Sequence, residues 1–188
     1  MRSYTKVLTV LVLLLCFVSL AAANPQITSE DVKCIKVALP EGERYGYIMR
    51  STGHWVIPPQ YTNARDFQTN GLAVASKEQK FGLINLKGTD VGTAVYQNIA
   101  NFKDGLAMVT VNGKYGLINE AGDVVVSPQF DNEITGFQEG LAPAKLDGKY
   151  GYIDQTGKMT IKAQFESALP FYSGLALVKL QGKYGYID

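Results

Sequence analysis

The stretch GLALVKLQGKYGYID at residues 174–188 decides the fold, because GLAPAKLDGKYGYID at residues 140–154 repeats it with few changes. The aromatic-glycine pair near its end occurs five times in the chain. Its glycines lie 36, 34, 35 and 34 residues apart, at Gly46, Gly82, Gly116, Gly151 and Gly185. A nearly constant spacing in this range is typical of an array of structural repeats, so the sequence predicts about four to five units of roughly 34 residues.

Each unit is predicted to be a three-stranded antiparallel meander. In the first strand, Leu175–Leu180, alternate residues differ in size and polarity, as expected for a strand with two different faces. A tight turn at Gly182 leads into the second strand, and a turn such as that at Gly157 leads into the third. From Val32 onwards, five copies of the first two strands and four copies of the third make fourteen strands. The predicted fold is therefore all-β.

The glycine of the aromatic-glycine pair lies inside the second strand of each unit. Glycine weakens a strand interior, so its recurrence indicates that another backbone or an aromatic ring covers it. We expect these five glycines to be structural. If the cover is a ring, we expect that ring to come from the neighbouring repeat.

The segment after each third strand has an aromatic residue, a small or apolar residue and a phenylalanine at a spacing near three. Such spacing suits a single helical or 3₁₀ turn that presents all three side chains to the sheet. The four sets are Tyr61, Ala64, Phe67; Tyr96, Ile99, Phe102; Phe130, Ile134, Phe137; and Phe165, Ala168, Phe171.

These motifs resemble those of the WG-repeat family, whose units carry WGYID, a turn with glycine, VIPPQF, and a GLA strand ending in NGK. Tyr or Phe replaces the leading Trp of the family in all five copies. The resemblance implies β-repeats and implies no catalytic or cofactor-binding residue. The matching segments are YGYID at Tyr150–Asp154 and Tyr184–Asp188, WVIPPQY at Trp55–Tyr61, SPQF at Ser127–Phe130, GLALV at Gly174–Val178 and NGKYG at Asn112–Gly116.

Both ends of the predicted array consist of the same hairpin, whereas a ring closed by a shared blade needs complementary fragments at its ends. We therefore expect an open, solenoid-like, twisted array, with propeller-like closure as the alternative. The fifth copy reaches Asp188 after its second strand. We expect the edge of this hairpin to be the place where a partner binds.

Residues 1–23 have the layout of a secretory signal peptide. Arg2 and Lys6 precede an uncharged run, Val7–Leu20, and three alanines follow it. The run is shorter than the about 20 residues that a membrane span needs. We expect cleavage after Ala23, a linker over residues 24–31, a repeat domain over residues 32–188, and no membrane span after cleavage. The mature protein is then secreted, periplasmic or on the cell surface.

Composition excludes several classes of function. Without its signal peptide the chain has 16 basic against 17 acidic residues, so it lacks the positive stripe of a nucleic-acid-binding protein. A Ser-His-Asp hydrolase needs a base beside its nucleophile, and the chain has a single histidine, His54. One histidine and one distant cysteine, Cys34, give no basis for a metal cluster unless carboxylates alone supply the ligands. The chain has no GxGxxG loop for phosphate. We therefore expect no enzyme activity, no cofactor and no metal, and an unpaired Cys34.

Three side chains outside the recurring positions are the candidate ligand contacts: His54, Trp55 and Tyr172. The alternative interpretation is that His54 and Trp55 are ordinary side chains of the turn after Gly53 and bind no ligand. The favoured function is an exported, non-catalytic repeat module that binds another protein, because stacked repeats offer an extended surface. The alternative is a carbohydrate or cell-wall binding protein that uses exposed aromatic rings. Tyr47, Tyr152 and Tyr186, which share one column of the repeat, would add to those rings if they were exposed.

Overall fold

The computed structural model describes residues 27–188, and nearly all of its regular structure is β. The predicted signal peptide, residues 1–23, lies outside the described residues. A 3₁₀ turn, Ser29–Asp31, precedes the first strand. The strands of the described part are β1 (Val32–Leu39), β2 (Gly42–Met49), β3 (Trp55–Tyr61), β4 (Asn63–Ala64), β5 (Leu72–Lys77), β6 (Lys80–Asn85), β7 (Asp90–Tyr96), β8 (Asn98–Ile99), β9 (Leu106–Val111), β10 (Lys114–Asn119), β11 (Val124–Phe130), β12 (Leu141–Leu146), β13 (Lys149–Asp154), β14 (Met159–Phe165), β15 (Ser167–Ala168), β16 (Ala176–Leu180) and β17 (Lys183–Ile187).

These strands form five antiparallel sheets in chain order: β1-β2-β3, β4-β5-β6-β7, β8-β9-β10-β11, β12-β13-β14 and β15-β16-β17. The predicted all-β repeat fold with its fourteen strands is confirmed within residues 27–188. Three further strands, β4, β8 and β15, have two residues each and pair with the strand that follows the connection. The connections were expected to form a helical turn, and this was wrong. Three of them are extended and pair with the next sheet, and the fourth, residues 131–140, has no helical turn either.

Two-residue turns close the hairpins between the first and second long strands. In the third sheet Asn112 and Gly113 have φ values of 50° and 74°, which is the left-handed pair that such hairpin turns require. The second sheet has Glu78 and Gln79 at these positions, with φ values of 53° and 66°. The turn geometry is therefore kept in this copy without glycine.

The hydrophobic cores lie between consecutive sheets. Each core combines a small-residue face of one sheet with the large apolar residues of the sheet before it. Between the third and fourth sheets, for example, the buried residues are Leu117, Val126, Phe130 and Ile134 on one side and Ala142, Ala144 and Ile153 on the other. The extensive contacts within residues 27–188 join consecutive sheets only. The described sheets therefore form an open array, and the propeller-like alternative is not seen.

The third strand covers the recurring glycine in the first four sheets. A Cβ atom on Gly46 would lie 2.7 Å from the Pro59 nitrogen, and one on Gly82 would lie 2.7 Å from the Ala94 Cβ. Gly151 faces the Ala163 nitrogen at the same distance of 2.7 Å. The cover belongs to the same sheet and is largely backbone. Of the two covers expected from the sequence, another backbone is the one found, and the expectation of a ring from the neighbouring repeat was wrong.

Candidate functional site

The fifth sheet differs from the other four because, among the described residues, β17 pairs only with β16. A Cβ atom on Gly185 would meet no atom within 4 Å. Tyr184 and Tyr186 are 69% and 71% exposed. Tyr152, which occupies the position of Tyr186 in the fourth sheet, is completely buried. The same local sequence therefore forms core in the fourth sheet and surface in the fifth.

Four apolar side chains on one side of the fifth sheet, Leu175, Leu177, Tyr184 and Tyr186, form what we call the terminal face. In the fourth sheet the corresponding side packs into the core against Phe165 and Phe171. The described residues place no equivalent rings against the terminal face. Leu175 is exposed and Leu177 is half-buried. Because monomeric proteins rarely expose large contiguous apolar patches, a surface of this kind marks a candidate interaction site.

A groove of about 250 Å³ runs along the open edge of the fifth sheet. Gly185 forms part of its floor, and Phe165, Val178, Leu180, Tyr184 and Ile187 are among its walls. The Lys179 ammonium group lies 5.6 Å from the centre of the Tyr184 ring and 3.4 Å from a carboxylate oxygen of Glu166. Glu166 also accepts a hydrogen bond of 2.9 Å from the backbone N–H of Gly182. The edge therefore offers an apolar groove with exposed backbone and one neutralised charge pair beside it.

The sequence-predicted ligand contacts do not come together in the structure. His54 is exposed in the turn before β3, and Trp55 begins β3 as a half-buried residue whose ring lies over Gly46. Tyr172 is 82% exposed and bridges to Leu175 at the start of the fifth sheet. His54 and Trp55 thus belong to the first sheet of the array and Tyr172 to the last. They do not form one site.

Two members of the tyrosine column are core residues. Tyr47 and Tyr152 are fully buried, and their hydroxyl groups donate hydrogen bonds to the carbonyl oxygens of Arg65 at 2.8 Å and Leu169 at 2.7 Å. Burial raises the pKa of both hydroxyl groups, that of Tyr152 to about 12. Only Tyr186 of this column is available to a ligand. Sequence reasoning named Tyr186 but missed Tyr184 and Leu175. Their exposure depends on whether a third strand and a further sheet pack beside the hairpin, and the hairpin sequence itself does not show this.

Outside the fifth sheet, a cavity and a cysteine are further candidates for chemistry within residues 27–188. A cavity of about 360 Å³ between the third and fourth repeats has Asp104 as the single carboxylate among its lining residues. No group of three or more His, Cys, Asp or Glu side chains in the described part is placed to hold a metal ion. Cys34 is half-buried, and burial, with a smaller contribution from Asp66, raises the pKa of its thiol to about 11. Its reactive thiolate is therefore scarce near neutral pH.

No helix in the described part of the chain is both long enough and apolar enough to cross a membrane.

The chain was compared with known proteins. No curated protein matches it. The solved structure of "KlHsv2 with loop 6CD replaced by a Gly-Ser linker" is similar at 10% identity and a TM-score of 0.35, over 79% of this chain and 56% of that chain. The chain thus spans little more than half of that protein. The family described as "WG containing repeat" matches four times in succession, at residues 45–81, 81–115, 115–150 and 150–184. These matches begin and end on the aromatic-glycine pairs and cover most of the chain, which therefore belongs to the WG-repeat family.

Proposed function

We propose that this protein is an exported, non-catalytic repeat module that binds another protein through the fifth sheet. The observation that carries the proposal is the terminal face, where Tyr184 and Tyr186 are more than two-thirds exposed although their equivalents in the other sheets are half or fully buried. Tyrosine and leucine side chains supply apolar contact area at interfaces, and tyrosine adds a hydroxyl group for hydrogen bonding. Export rests on the signal-like sequence of residues 1–23.

Cross-linking on intact producing cells tests the binding proposal, with the captured proteins identified by mass spectrometry. The variant Tyr184→Asp/Tyr186→Asp puts two charges on the terminal face without touching a core. We expect it to lose a protein that the wild type captures. Tyr172→Asp, which changes an exposed ring outside the terminal face, is the matched control and is expected to capture as the wild type does. Equal capture by the wild type and the double variant would contradict the proposal.

The mass of the mature protein tests export, with cleavage after Ala23 as the expected result.

A carbohydrate-binding function is the second candidate, and the exposed ring of Tyr172 favours it. Trp55 contributes less than expected, because its ring lies against Gly46. A glycan array separates the two candidates. Binding of a glycan by the wild type and its loss in Tyr172→Ala would support the second candidate over the first.

A further inference from the structure

The open edge of β17 has the same sequence as edges that are paired elsewhere in the molecule. The second strands β2, β6, β10 and β13 each pair with a third strand. In the fourth sheet Tyr150 pairs with Phe165, Tyr152 with Ile161 and Ile153 with Met159. The residues Lys149–Ile153 of that strand, KYGYI, are identical to β17. The internal pairing therefore shows which kind of strand fits β17.

Three of the four third strands share one pattern. An Ile or Val lies four residues before an aromatic residue, and Pro or Ala followed by Gln lies directly before that aromatic residue. The segments are Ile57–Tyr61 (IPPQY), Val126–Phe130 (VSPQF) and Ile161–Phe165 (IKAQF). The aromatic and the aliphatic residue pair with the residues on either side of the glycine, and the ladder is irregular between them. The strand that pairs with an aromatic-glycine-apolar sequence is thus seven residues long, and its pairing is irregular opposite the glycine.

Glycine permits this irregularity. The nitrogen of the Pro or Ala in the pattern lies 2.7 Å from a Cβ built on Gly46, 2.6 Å from one on Gly116 and 2.7 Å from one on Gly151. Any side chain at the glycine would displace the third strand. Around Gly185 this space is empty, and the groove at the edge occupies it. Gly185 therefore keeps room for a strand that the described residues do not supply.

Stacking of a second copy onto the terminal face is disfavoured by the first sheet. Ala73, Ala107, Ala142 and Ala176 each pair with an Ile of the neighbouring strand on the face that meets the preceding sheet. In the first sheet the partner of Ile48 is Lys33, which is exposed. Stacking another sheet on this face would bury the Lys33 ammonium group, and burial of an unpaired charge costs free energy. The first sheet is thus unsuited to cover the terminal face of another copy.

We infer that β17, whose outer edge is unpaired among the described residues, binds an extended segment of another protein with the pattern Ile/Val-x-Pro/Ala-x-aromatic, which adds as the third strand of the fifth sheet. This inference rests on the proposed function and specifies the chemistry of the partner. Main-chain hydrogen bonds to the edge supply affinity in such strand addition, and pockets for alternate side chains supply specificity. The aromatic residue pairs with Tyr184 and the aliphatic residue with Tyr186, as in the fourth sheet.

A synthetic peptide tests the inference directly. The probe has the sequence of residues 156–166, TGKMTIKAQFE, with a fluorescent label at its N-terminus, and binding to the full chain is followed by anisotropy. We expect saturable binding to the wild type. Gly185→Val is expected to weaken binding at least about tenfold, a loss of about 1.4 kcal/mol, while its unfolding transition stays unchanged. Lys149→Val introduces the same side chain at an exposed position of β13, away from the groove, and is expected to bind within about twofold of the wild type.

The peptide provides its own controls. A scrambled peptide and one with Ile161→Lys/Phe165→Lys are expected not to bind. Absence of binding by the parent peptide, or equal binding by wild type and Gly185→Val, would overturn the inference. So would a concentration-dependent dimer whose edge does not accept the peptide, because the occupant would then be a second copy. If partner capture depends on Tyr184 and Tyr186 but not on Gly185, strand addition fails and the proposed function stands.

Discussion

At the scale of single residues, the aromatic-glycine pair lies in the second strand of each sheet, and in the first four sheets it is flanked by the first strand on one side and the third strand on the other. In the first four sheets the glycine leaves the space that the irregular third strand occupies, and the residue after it, a Tyr or a Leu, is buried in a core. This geometry explains why the same glycine recurs in these four sheets although glycine is unfavourable in a strand. It also makes the last copy, Gly185, an internal control, since no atom lies within 4 Å of the Cβ position there.

Replacement of Gly151 by Val is expected to destabilise the protein by more than about 1 kcal/mol, because the new side chain collides with the backbone of Ile161 and Ala163. Gly185→Val is the matched control in the identical pentapeptide YGYID, and we expect its stability to equal that of the wild type. Urea unfolding of both variants measures the difference. Equal stabilities of the two variants would contradict the role assigned to the third strand.

At the scale of elements, the regular strands could be predicted from the repeat, since alternation and turn glycines are local properties of sequence. The two-residue strands β4, β8 and β15 could not, because they depend on pairing with the next sheet, whereas the spacing near three in these segments favoured a helical turn. For the cover over the glycines, the sequence left backbone and ring as alternatives and could not choose between them. Cover by backbone atoms cannot be recognised from the side chains of the third strand, except that the residue over the glycine is Pro or Ala. These residues are Pro59, Ala94, Pro128 and Ala163.

A substitution in the hairpin turn of the second sheet is expected to increase the stability of the protein. Gln79 has a φ of 66° where the third sheet has Gly113 at 74°. Because L-residues are strained in this region and glycine is not, Gln79→Gly should stabilise the protein by about 0.5 to 1 kcal/mol. The reverse exchange, Gly113→Gln, should destabilise it by a similar amount. Chemical unfolding measures both, and a loss of stability in Gln79→Gly would show that its side chain has a role outside the turn.

A carboxylate connects one sheet to the hairpin turn of the next. Asp131 accepts hydrogen bonds from the Lys114 ammonium group and, at 3.0 Å, from the backbone N–H of Gly148. These two donors, Lys114 first, lower the pKa of Asp131. The lowered pKa means that the ionised carboxylate stabilises the fold above the unfolded pKa of about 4, and that this stabilisation is lost as the pH falls through the folded pKa.

Asp131→Asn is therefore expected to be less stable than the wild type at about pH 7, with the difference vanishing by about pH 2. Urea unfolding of the two proteins over this pH range tests the sign. Lys87→Gln, which removes a charge elsewhere on the surface, is the control and should show no such convergence. A difference between Asp131→Asn and wild type that grows on acidification would refute the assignment.

At the scale of the whole molecule, the same local sequence has two fates according to its place in the array. Tyr152 is core and Tyr186 is surface, although both lie in YGYID. Sequence reasoning could find the array and the edge of its fifth hairpin as a candidate, but it could not distinguish buried from exposed copies of one motif. Trp55 and Tyr172 illustrate the same limit, because both lie outside the columns and only Tyr172 is strongly exposed.

The sheets form an open array, and within residues 27–188 the outer edge of β17 has no partner strand. Hydrogen exchange of the backbone amides tests this arrangement most directly. Amides of a paired strand exchange through opening of the structure, whereas those on an open edge exchange fast. We predict strong protection along β13, which has neighbours on both sides, and weak protection on the open side of β17 in the identical sequence KYGYI. Protection of β17 equal to that of β13 in the monomeric protein would mean that another strand already covers this edge, and would contradict the claim.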